Sequence, residues 1–136
     1  MREIIERYGP ILLKHEILVW ENEPTAYRFK AMLYFLDGST LAVRDYYLGG
    51  ERKYSYHWQD KDANILVRWD NAGHWKDVPT FPHHKHVKDE VLPSTETTIE
   101  DILDYRASCK SPPGRHSGKA PRLKPAGTSF EPESRL

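Results

Sequence analysis

The chain has 136 residues, 38% of them hydrophobic and 29% charged, enough for one domain with a modest core and not for two. Its 20 Lys/Arg and 20 Asp/Glu cancel, which excludes a strong global field toward nucleic acid or membrane; the balance is uneven, with 14 basic and 18 acidic groups in residues 1–109 (−4) and 6 and 2 in residues 110–136 (+4). The lone Cys109 excludes an internal disulfide, and no apolar run approaches the roughly 18 residues a membrane span needs.

The opening MREIIERYGP carries acidic residues and no apolar signal core, so a cytoplasmic location is expected. Arg2 to Tyr8 suits one or two helical turns, stopped by Gly9-Pro10. Ile11 to Trp20 reads as a strand, with a short helix as the alternative, and Glu21-Asn22-Glu23-Pro24 as a turn. Tyr27 to Leu36 alternates as a second strand, with Phe29, Ala31, Leu33 and Phe35 on one face and Arg28 and Lys30 on the other. Asp37-Gly38 signals a hairpin into Thr40–Leu48, and Gly49-Gly50 a tight turn into Glu51–Gln59. The polar segment 60–64 leads to a fifth strand, Ile65–Trp69.

From Asn71 to Pro93 the pattern is irregular, and no regular structure is expected there. Thr97 precedes Glu100 by three residues, a capping box, and Ile99, Ile102 and Leu103 keep helical spacing, so a helix from Thr98 to about Arg106 is predicted. The expectation is an α+β domain over residues 1–109. It holds an antiparallel meander of four to five strands, a short N-terminal helix and a C-terminal helix on one face. Residues 110–136, rich in Pro, Gly, Ser and Lys, read as a disordered basic tail. Its Lys110, Arg115, Lys119, Arg122 and Lys124 suit a solvated tail that adds nonspecific phosphate affinity.

Hairpin geometry then sorts the side chains. A two-residue Gly49-Gly50 loop pairs Leu48 with Glu51, which sets Leu41 against Trp58, Val43 against Tyr56, Arg44 against Ser55 and Ala42 against His57. A three-residue loop at Asp37-Gly38 keeps the aliphatic residues together; a two-residue loop would invert the parity. Ile65, Val67 and Trp69 are assigned to the core, leaving Arg68 and Asp70 outward. The polar face then collects Arg28, Lys30, Arg44, Tyr46, Lys53, Ser55, His57 and Arg68. One wet sheet face is ordinary. An excess of cations on it, in an acidic body, with hydroxyls and an imidazole among them, is what a phosphodiester site requires.

The segment TFPHHKHV places His83, His84 and His86 close together. In an extended chain His84 and His86 point the same way, and with His74 or Asp77 they suit a zinc site, though no HExxH or paired CxxC spacing supports one. Alternatively the loop folds over the polar face, so that His84 or His86 supplies the acid partner of His57. A surface loop is the third possibility. Asp70-Asn71 reads as a turn former, and Trp20, Trp69 and Trp75 as packing residues.

The succession AYRFKAMLYFLDGSTLAVRDY, RKYSYHWQD, RWDNAGHW and PTFPHHKHV resembles the TumE-like family of toxins from toxin–antitoxin pairs, over roughly residues 5–107. The resemblance implies growth inhibition and an antitoxin partner, a small helix-turn-helix DNA-binding protein. Joined to the polar face, it suggests a metal-independent ribonuclease that needs no cofactor. In that reading His57 is the base and His84 or His86 the acid. Arg44, Lys53 and Arg68 hold the phosphate, and Tyr46 orients the nucleotide. A non-catalytic nucleic-acid or partner-binding module and a metal protein built on His83–His86 are the alternatives.

Overall fold

A computed structural model describes residues 1–108; the tail expectation for residues 110–136 lies outside them. The chain order is α1 (Arg2–Arg7), a 3-10 turn (Gly9–Ile11), β1 (Leu12–Glu23), β2 (Ala26–Phe35), β3 (Thr40–Leu48), β4 (Glu51–Gln59), β5 (Ile65–Asp70), β6 (His84–Val87), β7 (Glu90–Pro93) and α2 (Ile99–Ser108). The strands form one antiparallel sheet in sequence order, β1 through β7, a pure meander.

Turn chemistry sets the register. Gly49 and Gly50 have φ of +62° and +79° and join the Leu48–Glu51 pair, the primed turn that matches strand twist. Val43 accordingly faces Tyr56, Leu41 faces Trp58 and Ala42 faces His57. At the β2–β3 hairpin the Gly38 N–H donates to the Phe35 carbonyl (3.0 Å) and the Phe35 N–H to the Ser39 carbonyl (2.9 Å). Gly38 sits at φ +92°, and the Asp37 carboxylate accepts from the Ser39 N–H and hydroxyl at 2.8 and 2.6 Å. This is the three-residue loop with its glycine bulge, and it keeps Leu33 and Phe35 on the side of Leu41 and Val43.

That apolar face is covered by both helices. Ile5 of α1 and Ile99, Ile102 and Leu103 of α2 are buried with Phe29, Tyr56 and Trp58. The two helices are tied by Arg7–Glu100 (2.8 Å) and by the Tyr8 hydroxyl on Asp104, and Arg106 anchors α2 to Asp37 at the hairpin (2.7 Å). The opposite sheet face carries no helix among the described residues.

Four sequence expectations are corrected. The sheet has seven strands, because the stretch read as irregular contains the β6–β7 hairpin. Its strands have four residues each and turn at Lys88-Asp89, with Lys88 at φ +57°, too short for an alternation to register. The first hairpin turns at Pro24-Thr25, so β1 runs on through Glu21–Glu23. A bulge after Trp58 shifts the β4–β5 register; it leaves Ile65 52% exposed and buries Leu66. The α2 capping box lies one residue later than expected: Thr98 Oγ1 accepts from the Asp101 N–H and Asp101 Oδ2 from the Thr98 N–H.

One core position departs from the apolar pattern. Asp45, 2% exposed, takes two hydrogen bonds from Arg52 (3.0 and 2.9 Å) and one each from the Tyr56 and Tyr27 hydroxyls (2.6 and 2.9 Å). Arg52 also reaches Glu96 and the Thr97 carbonyl, so this pair ties β3 and β4 to the segment entering α2. Burial disfavours the Arg52 charge, but the Asp45 bonds outweigh it and hold its pKa above the ordinary value. Burial, then the Asp45 charge, raises the pKa of Tyr56.

Candidate functional site on the open sheet face

The meander lays the polar residues out as cross-strand rows. In one row Lys30, Arg44, Ser55, Asp70 and His84 are successive partners across β2 to β6. The next row runs Met32, Ala42, His57, Arg68 and His86. A third sets Arg28 beside Tyr46 and Tyr46 beside Lys53. Directly opposed residues share a face, so all eight residues expected on the polar face lie on one side of the sheet.

The rows differ in character. At the β2–β4 end, the Arg28 and Arg44 guanidinium groups flank the Tyr46 ring at 5.6 and 6.0 Å. Arg28 also pairs with Glu21 (3.3 Å), whereas Lys30, Arg44 and Lys53 meet no carboxylate among the described residues. This end is a cationic track with an aromatic platform.

At the β5–β6 end the groups converge. His57 and His86 stand on either side of Arg68, two strand spacings apart, or about 10 Å between backbones. His57 Nε2 is buried and has no hydrogen-bond partner. Burial, then the neighbouring Arg68 charge, lowers the pKa of His57. Burial also lowers that of His86, which Asp70 opposes. Asp70, 3% exposed, gathers three groups: Arg68 Nε at 3.1 Å, His84 Nε2 at 2.9 Å and His86 Nε2 at 3.6 Å. His84 Nδ1 is 2.9 Å from the Pro82 carbonyl, and the His84 and His86 rings meet edge to face at 4.9 Å. The Trp75 ring stands beside both, 6.4 Å from His84 and 6.0 Å from His86.

The His segment therefore does not fold over the sheet beside His57; it extends the sheet by a strand. His84 and His86 point the same way, as extended geometry requires. His83 takes the other face, where its Nδ1 lies 2.9 Å from the Tyr54 hydroxyl. Tyr54, whose pKa burial pushes up to about 12, also accepts from the Thr97 N–H through that hydroxyl. The third group beside His84 and His86 is Asp70, in place of His74 or Asp77. His84 is only 1% exposed, so it does not meet a large substrate directly.

Sequence reading passed over two members of this cluster, Asp70 and Trp75. Parity already placed Asp70 outward, two residues from Arg68; its position at a strand end made it look like a turn former. It does serve that role, since its Oδ1 accepts from the Ala72 N–H (3.0 Å), while Asn71 closes the strand by bonding the Tyr54 N–H and the Arg52 carbonyl. The Trp75 contact arises from a loop with no periodicity to read.

A family model described as Toxin TumE matches residues 1–108. Comparison with curated proteins and with solved structures returns no match. No helix among the described residues is long and apolar enough to cross a membrane. With a match over the whole described domain, the chain belongs to the TumE toxin family, the toxin half of toxin–antitoxin pairs with an antitoxin as its partner.

Proposed function

We propose that this toxin acts on RNA in the cytoplasm, cleaving the phosphodiester backbone on the open sheet face. The observation that carries the reading is the cross-strand row His57–Arg68–His86, an arginine whose neighbours on the two adjacent strands are both histidines. An RNA strand on this face sets one phosphate against Arg68. The partly exposed His57 imidazole then takes the proton of the adjacent ribose 2′-hydroxyl, and the 2′-oxygen attacks phosphorus. The bond to the 5′-oxygen breaks, and that oxygen takes its proton from the His86 side of the row. The products are a 2′,3′-cyclic phosphate and a 5′-hydroxyl. Arg68 meets the charge that builds on the non-bridging oxygens. His84, buried against Asp70, positions His86 rather than touching substrate.

The remaining cations of the face serve the flanking phosphates. Lys30, Arg44 and Lys53 continue the track away from the row, Arg28 steadies Tyr46 for stacking on a base, and Ser55 offers a hydroxyl between them. The antitoxin is read as a helix-turn-helix protein encoded beside the toxin, and inspection of the adjoining reading frame tests that part.

The unpaired cations also favour a second reading, a binding module that sequesters RNA or an acidic partner without turnover. Incubation of an end-labelled RNA with purified protein separates the two. Cleavage to cyclic-phosphate ends, lost in His57→Ala and Arg68→Ala, supports the enzyme. Salt-sensitive binding with intact RNA after long incubation supports the module.

A further inference from the structure

We propose that Asp70, His84 and His86 form a binding site for a divalent transition cation of the zinc class, with an open coordination position toward Arg68 and His57. One ligand atom from each of the three residues lies within 4.8 Å of the others. A tetrahedral ion with bonds of about 2.0–2.1 Å needs neighbouring ligands roughly 3.3–3.5 Å apart. His84 Nε2 lies 2.9 Å from Asp70 Oδ1 and His86 Nε2 3.6 Å from Oδ2, so each imidazole already faces one oxygen of the carboxylate at about that spacing.

The hydrogen bonding carries the argument further. His84 Nδ1 faces the Pro82 carbonyl, which accepts only if that nitrogen bears the hydrogen. With that hydrogen on Nδ1, the neutral ring turns the lone pair of Nε2 toward Asp70, the outer-shell arrangement of metal-binding histidines. Nε2 and Asp70 Oδ2 are both buried and make no well-aligned hydrogen bond, although His84 is 1% exposed and Asp70 3%. In the neutral tautomer a lone pair then faces a carboxylate with no hydrogen between them, a conflict that a bound cation, whether a proton or a metal ion, removes.

Arg68 Nε, 3.1 Å from Oδ2, is the competing charge in the cation-free protein; its own side chain is 44% exposed and free to swing toward a phosphate. His86 is 25% exposed and closes the cage from the solvent side, with Trp75 as its wall. Two imidazoles and one carboxylate leave at least one position open, as in catalytic rather than structural sites. Placement of the ion beside a scissile phosphate rests on the reading above; the cage itself does not. With an ion held there, His86 would serve as a ligand rather than as the acid; the cation would meet the charge on the leaving 5′-oxygen, which would then take its proton from water.

The test uses the untagged full chain, stripped with chelator, and titrates Zn²⁺ by calorimetry. Co²⁺ absorption reports coordination number and Cu²⁺ quenching reports approach to Trp75. One ion per chain, with affinity at least 100-fold weaker in His86→Gln and unchanged in His74→Gln, supports the site. Absence of stoichiometric binding overturns it, as does equal binding by His86→Gln. Should Asp70→Asn fail to fold, His86→Gln still decides, because that residue is partly exposed. Stoichiometric binding without any RNA cleavage refutes the ribonuclease reading and leaves the site standing. Cleavage unchanged by chelator, with no binding, does the reverse.

Discussion

Arg52→Met removes the one cation bonded to the Asp45 carboxylate among the described residues and leaves that group 2% exposed among phenols. The Tyr27 and Tyr56 hydroxyls still donate, but neither carries charge. Breaking a buried pair from one side costs about 3–5 kcal/mol, because the remaining charge stays desolvated. The upper half of that range applies here. Arg52 donates to both Asp45 oxygens, to the Tyr56 hydroxyl, to the Thr97 carbonyl and to Glu96, so five hydrogen bonds are lost together. At about 4 °C per kcal/mol for a domain of this size, the melting temperature falls by roughly 16–20 °C. Urea denaturation with a calorimetric melt measures it. Arg52→Met/Asp45→Asn retains an acceptor for the Tyr56 hydroxyl but buries no charge, and recovers at least half of the loss. A single-variant cost below about 1 kcal/mol, or a double variant no better than the single, refutes the view that the buried charge holds β3 and β4 to α2.

Three further outcomes follow from the same geometry. The His57 ring, followed by NMR, titrates below its ordinary value of 6.5 because it is half-buried and beside Arg68; Arg68→Gln moves it upward. The unfolded chain therefore takes up that proton first, so His57 contributes to a stability that is full above about 6.5 and declines as pH falls through that value. Thr98→Ala removes the α2 cap and costs about 1 kcal/mol in urea denaturation. Arg44→Gln lowers RNA affinity and reduces the slope of log affinity against log salt by about one, as expected for a phosphate contact.

The legible part of the fold was the part governed by parity. Gly49-Gly50 and Asp37-Gly38 admit few turn geometries, and each fixes which residues oppose each other, so the polar face from Arg28 to His57 followed from counting, and Arg68 from the alternation with Val67 and Trp69. The bulge after Trp58 was invisible, because either Ile65 or Leu66 satisfies an apolar position and only the backbone decides. Asp45 went unremarked because its partners Tyr27, Arg52 and Tyr56 come from three places in the chain. The histidine cluster was legible as a motif but not as a site. Two of its members, His84 and His86, were assigned a shared direction correctly; the carboxylate they meet comes from β5, and strand pairing across a 13-residue loop brings them together. The lesson for such sheets is that local turns set faces, while long connections set which ends of those faces meet.

Incubation of the purified full chain with an RNA labelled at its 5′ end, followed by analysis of the new termini, tests the central claim most directly. The account predicts fragments ending in 2′,3′-cyclic phosphate, their formation abolished by His57→Ala and by Arg68→Ala in proteins that remain folded by circular dichroism. Uncut RNA from the wild-type chain, or undiminished cleavage by both variants, contradicts it.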